Sequence, residues 1–66
     1  MFYRVKEVRG KFIPQKLGFL TSWQGIDKRD LYLWISDDHQ WTYCKCDTLE
    51  EAREVIRNYK PKFHKP

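Results

Sequence analysis

Residues 48 to 61 carry a complete helical signature, and that segment constrains the architecture more than any other. Thr48-Leu49-Glu50-Glu51 fits a capping box, in which the threonine hydroxyl and the Glu51 carboxylate satisfy each other's orphan backbone donors. Leu49, Ala52, Val55, Ile56 and Tyr59 follow at helical spacing and make one apolar stripe. Glu50, Glu51 and Glu54 lie towards the start, and Arg57 and Lys60 at the end, as the helix dipole prefers. Pro61 stops the helix, because the residue before a proline is pushed out of the helical region. A helix with one apolar stripe covers one face of a small sheet, and the segments before residue 48 read as strands. The expected fold class is therefore α+β: an antiparallel β-meander of three to four strands packed on one C-terminal α-helix. Residues 1–60 would form this single compact unit and 61–66 a basic C-terminal tail.

With 66 residues there is room for one hydrophobic core only. Dense packing is available, because aromatics make up 17% of the chain and each buries a large apolar area. Charged residues at 33% argue against a membrane span, and no apolar run approaches the roughly 20 residues a bilayer requires. The opening Phe2-Tyr3-Arg4-Val5-Lys6-Glu7 mixes charge into its apolar residues, unlike a signal peptide, so the expected location is cytoplasmic. Cys44 and Cys46 would project to the same face of a strand, where bridging them strains the backbone, and they read as small buried apolar residues. With only His39 and His64 to join them, they match no standard zinc spacing, so no metal and no cofactor is expected.

Phe2 to Val8 reads as a strand, Arg9-Gly10 as a two-residue turn, and Lys11-Phe12-Ile13-Pro14-Gln15 as the returning strand. That turn sets Glu7 opposite Phe12, Val5 opposite Pro14 and Tyr3 opposite Lys16. One face then carries Tyr3, Val5, Phe12 and Pro14, a core face. The other is basic, with Arg4, Lys6, Lys11 and Gln15, and Phe2, Val8 and Ile13 among them. Pro14 cannot donate a ladder hydrogen bond, which places its strand at an edge, or bends or ends it there. Gly18 to Asp30 shows no clean period; a short third strand is expected around Phe19 to Trp23, then a turn through Gln24 to Asp30. Leu31 to Ile35 is a continuous apolar run and reads as a strand. Ser36-Asp37-Asp38-His39 reads as a polar turn, and Gln40 to Cys46 as the next strand. This second hairpin would pair Trp34 with Trp41 and Tyr32 with Tyr43. It would have an aliphatic side (Leu31, Leu33, Ile35, Thr42, Cys44) for the helix and an aromatic side left for something else.

Function follows from those leftovers. Arg4, Lys6, Arg9 and Lys11 sit on a basic hairpin beside Tyr32, Trp34, Trp41 and Tyr43. Cations that neutralise phosphates beside rings on which bases stack are what nucleic-acid-binding sheets use. The expectation is a non-enzymatic binding module with nucleic acid as its partner, slightly preferred to a protein. A protein interface on the same aromatic face is the alternative, with the chain a monomer or a weak homodimer. A third arrangement buries the aromatic side under the loop of residues 17–30 as a second small core. No phosphate-cradling glycine loop and no nucleophile with an evident base is present, so neither catalysis nor a small-molecule substrate is expected, and Asp37-Asp38-His39 reads as turn chemistry.

Tyr3-Arg4-Val5-Lys6-Glu7, Gly10-Lys11-Phe12-Ile13-Pro14-Gln15, a later tryptophan and Thr48-Leu49-Glu50-Glu51-Ala52 resemble small phage and prophage proteins of the β-meander-plus-C-terminal-helix type. The resemblance covers the two ends of the chain and rests on structural motifs. It implies a phage or mobile-element origin, and hence a modulator of a host protein or of DNA transactions. A fainter likeness is to the three-stranded-sheet-plus-helix DNA-binding domains of integrases, although the later strands here lack the basic residues such domains use.

Overall fold

A computed structural model of the chain describes residues 2–18 and 22–60. It contains strands β1 (Tyr3–Val8), β2 (Lys11–Leu17), β3 (Trp23–Ile26) and β4 (Leu33–Trp34), then helices α1 (Asp37–Cys44) and α2 (Leu49–Tyr59). The four strands form one antiparallel sheet in the order β1-β2-β3-β4, so the α+β meander with a C-terminal helix is the observed fold.

The first hairpin has the register its turn dictates, with Glu7 opposite Phe12, Val5 opposite Pro14 and Tyr3 opposite Lys16. Arg9 and Gly10 take φ of 50° and 76°, the pair of positive values that a tight turn needs to match the strand twist. Backbone hydrogen bonds fix which way each residue points. Leu17 N–H donates to the Phe2 carbonyl at 2.9 Å, whereas Phe12 N–H donates away from β1, to the Cys46 carbonyl at 2.9 Å. Even-numbered residues of β2 thus address the β3 side, and Pro14 is the one that cannot donate there. The β2–β3 ladder accordingly covers only Gln15 to Leu17 of β2, and β3 ends at Ile26. Cys46 takes over beside Phe12, closing the gap with a two-way bridge. From the sequence, Pro14 implies a strand that lies at an edge, or that bends or ends there. Instead β2 is central, and the proline interrupts one ladder rather than the strand.

α2 behaves as its pattern requires. Thr48 Oγ1 accepts from Glu51 N–H at 3.1 Å, while the Glu51 carboxylate accepts from Asp47 N–H at 3.0 Å, one residue before the cap. The helix ends at Tyr59, and Lys60 leaves the helical region at ψ 137° ahead of Pro61. Ala52, Val55 and Ile56 pack with Ile26 and Cys46 into the core, and Tyr3, Val5, Phe12, Leu31, Leu33 and Tyr59 border it. Leu49, the first residue of the stripe, stays exposed.

The middle of the chain departs from the sequence reading. β3 begins where the third strand was expected to end, and the expected start of that strand, Phe19 to Thr21, lies outside the described residues, as does the tail 61–66. The strand expected at Leu31 to Ile35 shrinks to Leu33–Trp34. Gln40 to Cys46 is not a strand. Ser36 is a helix N-cap whose hydroxyl accepts from His39 N–H, with Asp37 and Asp38 in the favoured first turn, and α1 runs from there to Cys44. The cross-strand pairs Trp34–Trp41 and Tyr32–Tyr43 therefore do not form.

α1 lies on the face of the sheet opposite α2, with Gln40 and Cys44 turned inward. It comes so close to β3 that a Cβ on Gly25 would sit 2.7 Å from Gln40 Cγ and 2.9 Å from Cys44 Sγ. Cys44 ends under this helix and Cys46 in the α2 core, so a two-residue step carries the chain from one layer to the other. Gly25→Ala should therefore lift α1 and cost about 1–3 kcal/mol, measured by urea unfolding; an unchanged midpoint would contradict this contact.

Candidate functional site

A chain of amides ties α1 to the sheet. Arg4 Nε donates to Gln15 Oε1 at 2.7 Å, and Gln15 Nε2 donates to Gln40 Oε1 at 2.6 Å. Gln40 Nε2 in turn donates to the Trp23 and Ile35 carbonyls at 3.0 and 2.9 Å. Gln15 and Gln40 are each 2% exposed, and among the described residues no buried side-chain nitrogen or oxygen lacks a partner. A buried amide is tolerated when its donors and acceptors are all met, as they are here.

With Gln40 and Cys44 beneath it, α1 divides the surface above the sheet into two flanks. On the β1 flank, Asp37, Asp38 and Trp41 face Lys6, Val8 and Arg9 across a groove of about 200 Å³ floored by Ile13, Gln15 and Gln40. The Arg9 guanidinium lies 5.6 Å from the Trp41 ring centre and Lys45 Nζ 4.5 Å from it, so two cations lie against the indole. Arg4, one β1 position removed, lies 4.0 Å over the ring of Trp23.

On the β4 flank the other aromatics meet. Trp34 stacks on Tyr43 at 4.5 Å and takes Tyr32 edge-on at 4.9 Å, with His39 at 5.2 Å. The loop after β3 holds this cluster. Buried Asp27 accepts from Arg29 N–H, Arg29 Nε and Nη2, and Trp34 Nε1, and the same guanidinium lies 5.4 Å from the Tyr43 ring. Leu31, at φ 62°, turns the chain back so that its N–H reaches the Asp27 carbonyl at 2.8 Å. Tyr32 remains 57% exposed and the neighbouring Ile35 68%.

The structure thus brings together some of the residues singled out from sequence and separates others. Tyr32, Trp34 and Tyr43 share one cluster, joined by His39 and Arg29. Trp41 sits on the opposite side of α1, with Arg9 and Lys6. Lys11 points elsewhere, in an ion pair with Asp47 at 2.6 Å. Among the described residues no aromatic sheet face lies open, because α1 packs on that side of the sheet. Ile26, which would cover the aromatics in the arrangement with a second small core, lies in the α2 core instead. Sequence reasoning missed Lys45, whose position just after an unrecognised helix gave no hint that it flanks Trp41.

The distribution of ion pairs separates the two flanks further. Among the described residues, Lys11, Lys28, Arg29, Arg53 and Arg57 each reach a carboxylate. Arg4, Lys6, Arg9, Lys16, Lys45 and Lys60 form no such pair; of these, Arg4, Lys6, Arg9 and Lys45 lie on the β1 flank, while Lys60 lies over the Tyr3 ring. Both thiols are buried and resist ionisation, Cys44 pushed up to about 12 and Cys46 to about 11 by loss of solvent. Among the described residues no group of His, Cys, Asp and Glu is placed to hold a metal ion, and no helix is long and apolar enough to cross a membrane. Compared with protein-family models, curated proteins and solved structures, the chain matches none.

The hydrogen bonds from Arg29 hold the Asp27 carboxyl down at about 2, despite the loss of solvent that opposes them. An unfolded aspartate titrates near 3.9, so the folded state binds its proton less readily. Asp27 stabilises the fold fully above pH ~4, and that contribution, on the order of 2 kcal/mol, fades as pH falls towards 2. Asp27→Asn should flatten the pH dependence of stability between those limits, read from denaturant midpoints at pH 2.5 and 5. An unaltered slope would count against the Asp27–Arg29 lock.

Proposed function

We propose that the protein is a non-enzymatic binding module whose partner is a nucleic acid, held along the β1 flank by Arg4, Lys6, Arg9 and Lys45 around Trp41. The observation that carries this reading is the segregation of charge. Five of the other described cations reach a carboxylate, whereas these four share one flank and none does, with Arg9 and Lys45 beside the half-buried Trp41 and Arg4 over Trp23. A polyanion gains from such a row by releasing its counterions, and an adjacent ring offers a base a surface to stack on. Asp37 and Asp38 repel phosphate from the groove itself, so the backbone would follow its outer rim and place a base, not a phosphate, towards Trp41.

A protein partner is the second reading, favoured by one observation: the exposed Tyr32 and Ile35 beside the ordered Trp34–Tyr43 stack. Rigid aromatic anchors of this kind concentrate affinity at protein interfaces.

Titration with a fluorescent single-stranded oligonucleotide distinguishes them. The nucleic-acid reading expects binding at low salt that weakens with a log–log salt slope of about −3, for four neutralised phosphates. Arg9→Ala and Lys45→Ala should each flatten that slope by about 0.7 while leaving the fold intact. Absence of binding at 20 mM salt, a condition about as permissive as such contacts allow, would overturn it.

A further inference from the structure

The groove between β1 and α1 has walls of opposite charge that do not meet. Lys6 and Arg9 line one side of it, and Asp37 and Asp38 the other. None of these four side chains takes part in an ion pair among the described residues. An exposed ion pair is worth little, so holding the walls apart costs little and keeps the groove open. Its volume of about 200 Å³ is below the roughly 300–1,000 Å³ of pockets that enclose drug-sized ligands, so it suits one small group of a larger partner.

Helical spacing sets the acidic wall beside the indole. Asp37 and Asp38 stand four and three residues before Trp41, so all three share one side of α1, about one turn apart. A planar group against Trp41 thus has an edge within reach of both carboxylates. Base stacking on an indole outweighs an exposed cation over the same ring, so an entering base moves Arg9 from the ring to its own edge. Carboxylates accept hydrogen bonds and cannot donate, whereas Lys and Arg donate and cannot accept. The base that fits must therefore offer donors to α1 and acceptors to β1. Thymine and uracil present one N–H between two carbonyls, which a carboxylate repels. Adenine and cytosine present a single amino group. Guanine has two adjacent donors, N1–H and N2–H₂, with the acceptors O6 and N7 beside them.

We infer that the groove takes one unpaired guanine of a single strand, with Asp37 and Asp38 accepting from N1–H and N2–H₂ and Lys6 and Arg9 donating to O6 and N7. Resting on the nucleic-acid reading above, this site adds a base preference to it. The cations of the rim draw in any strand through its phosphates, and the acids select the base that enters. In a duplex the N1–H and N2–H₂ groups already pair with cytosine, so the guanine must be unpaired. The two acids then act in opposite directions on two quantities. They weaken the general attraction for a polyanion, and they strengthen the hold on guanine.

The experiment titrates the full chain with fluorescent oligothymidylates that differ at one central position, since a lone guanine does not promote four-stranded association. The guanine strand should bind about tenfold tighter than the all-thymine strand at the same salt. Deoxyinosine at that position lacks only the N2 amino group and should bind about fivefold more weakly than guanine. Asp37→Asn and Asp38→Asn should each tighten binding of the all-thymine strand while at least halving the guanine preference. Circular dichroism verifies the helices of each variant, and the inosine comparison on the unaltered chain decides the matter if a variant fails to fold. Salt-dependent binding that is equal for guanine, inosine and thymine would overturn the guanine site and leave the nucleic-acid reading standing. So would aspartate variants that fold and tighten every strand alike, because the acids would then act by repulsion alone. No binding of any strand at 20 mM salt would overturn both.

Discussion

The contact between Gln40 and Gly25 is the constraint on which the arrangement of this protein turns. A helix can lie this low on a sheet only where the strand beneath offers no side chain, and Gly25 is that point. Once α1 descends there, Gln40 is taken out of water and its amide must be satisfied within the protein. The relay from Arg4 through Gln15 supplies one end and the Trp23 and Ile35 carbonyls the other. A buried amide in a low-dielectric interior is stabilising when complete and expensive when broken. The relay therefore fixes not only the height of α1 but its rotation. That rotation decides which aromatic goes where: Trp41 to the cationic rim of β1, and His39 and Tyr43 to the Trp34 cluster.

The fold is thus a sheet with two unlike faces. Beneath α2 the contact is apolar and tolerant, an aliphatic stripe on Ile26, Cys46, Val5 and Phe12. Beneath α1 it is polar and specific. Pro14 belongs to the same logic, because the ladder bond it cannot donate lets β3 peel away after Ile26. That release frees the chain to form the Asp27 loop, and the loop in turn orients Arg29 and Trp34.

Where the signal was local, the sequence was readable. The Arg9-Gly10 turn sets the register of the first hairpin unaided, and Thr48 with its glutamates marks α2 to within a residue. Where structure depended on burying polar groups, it was not. α1 carries Trp41, Thr42 and Tyr43, residues that favour strands, and its inward positions include a glutamine, so no apolar stripe announces a helix. Only Ser36 followed by Asp37 and Asp38 signalled a helix start, and that motif serves equally well as a turn. Most of the candidate residues could be named from charge and aromaticity. Their division between two flanks of α1 could not, since it follows from the helix that the alternating pattern concealed.

The placement of the two cysteines has a practical consequence. They are neighbours in sequence, yet Cys44 is sealed under one helix and Cys46 under the other. Each thiol becomes reactive only when its own layer opens and solvent reaches it. The native chain thus carries a pair of internal clocks, one timing the lifting of α1 and the other the lifting of α2. Their relative rates of alkylation would report whether the polar layer or the apolar layer gives way first.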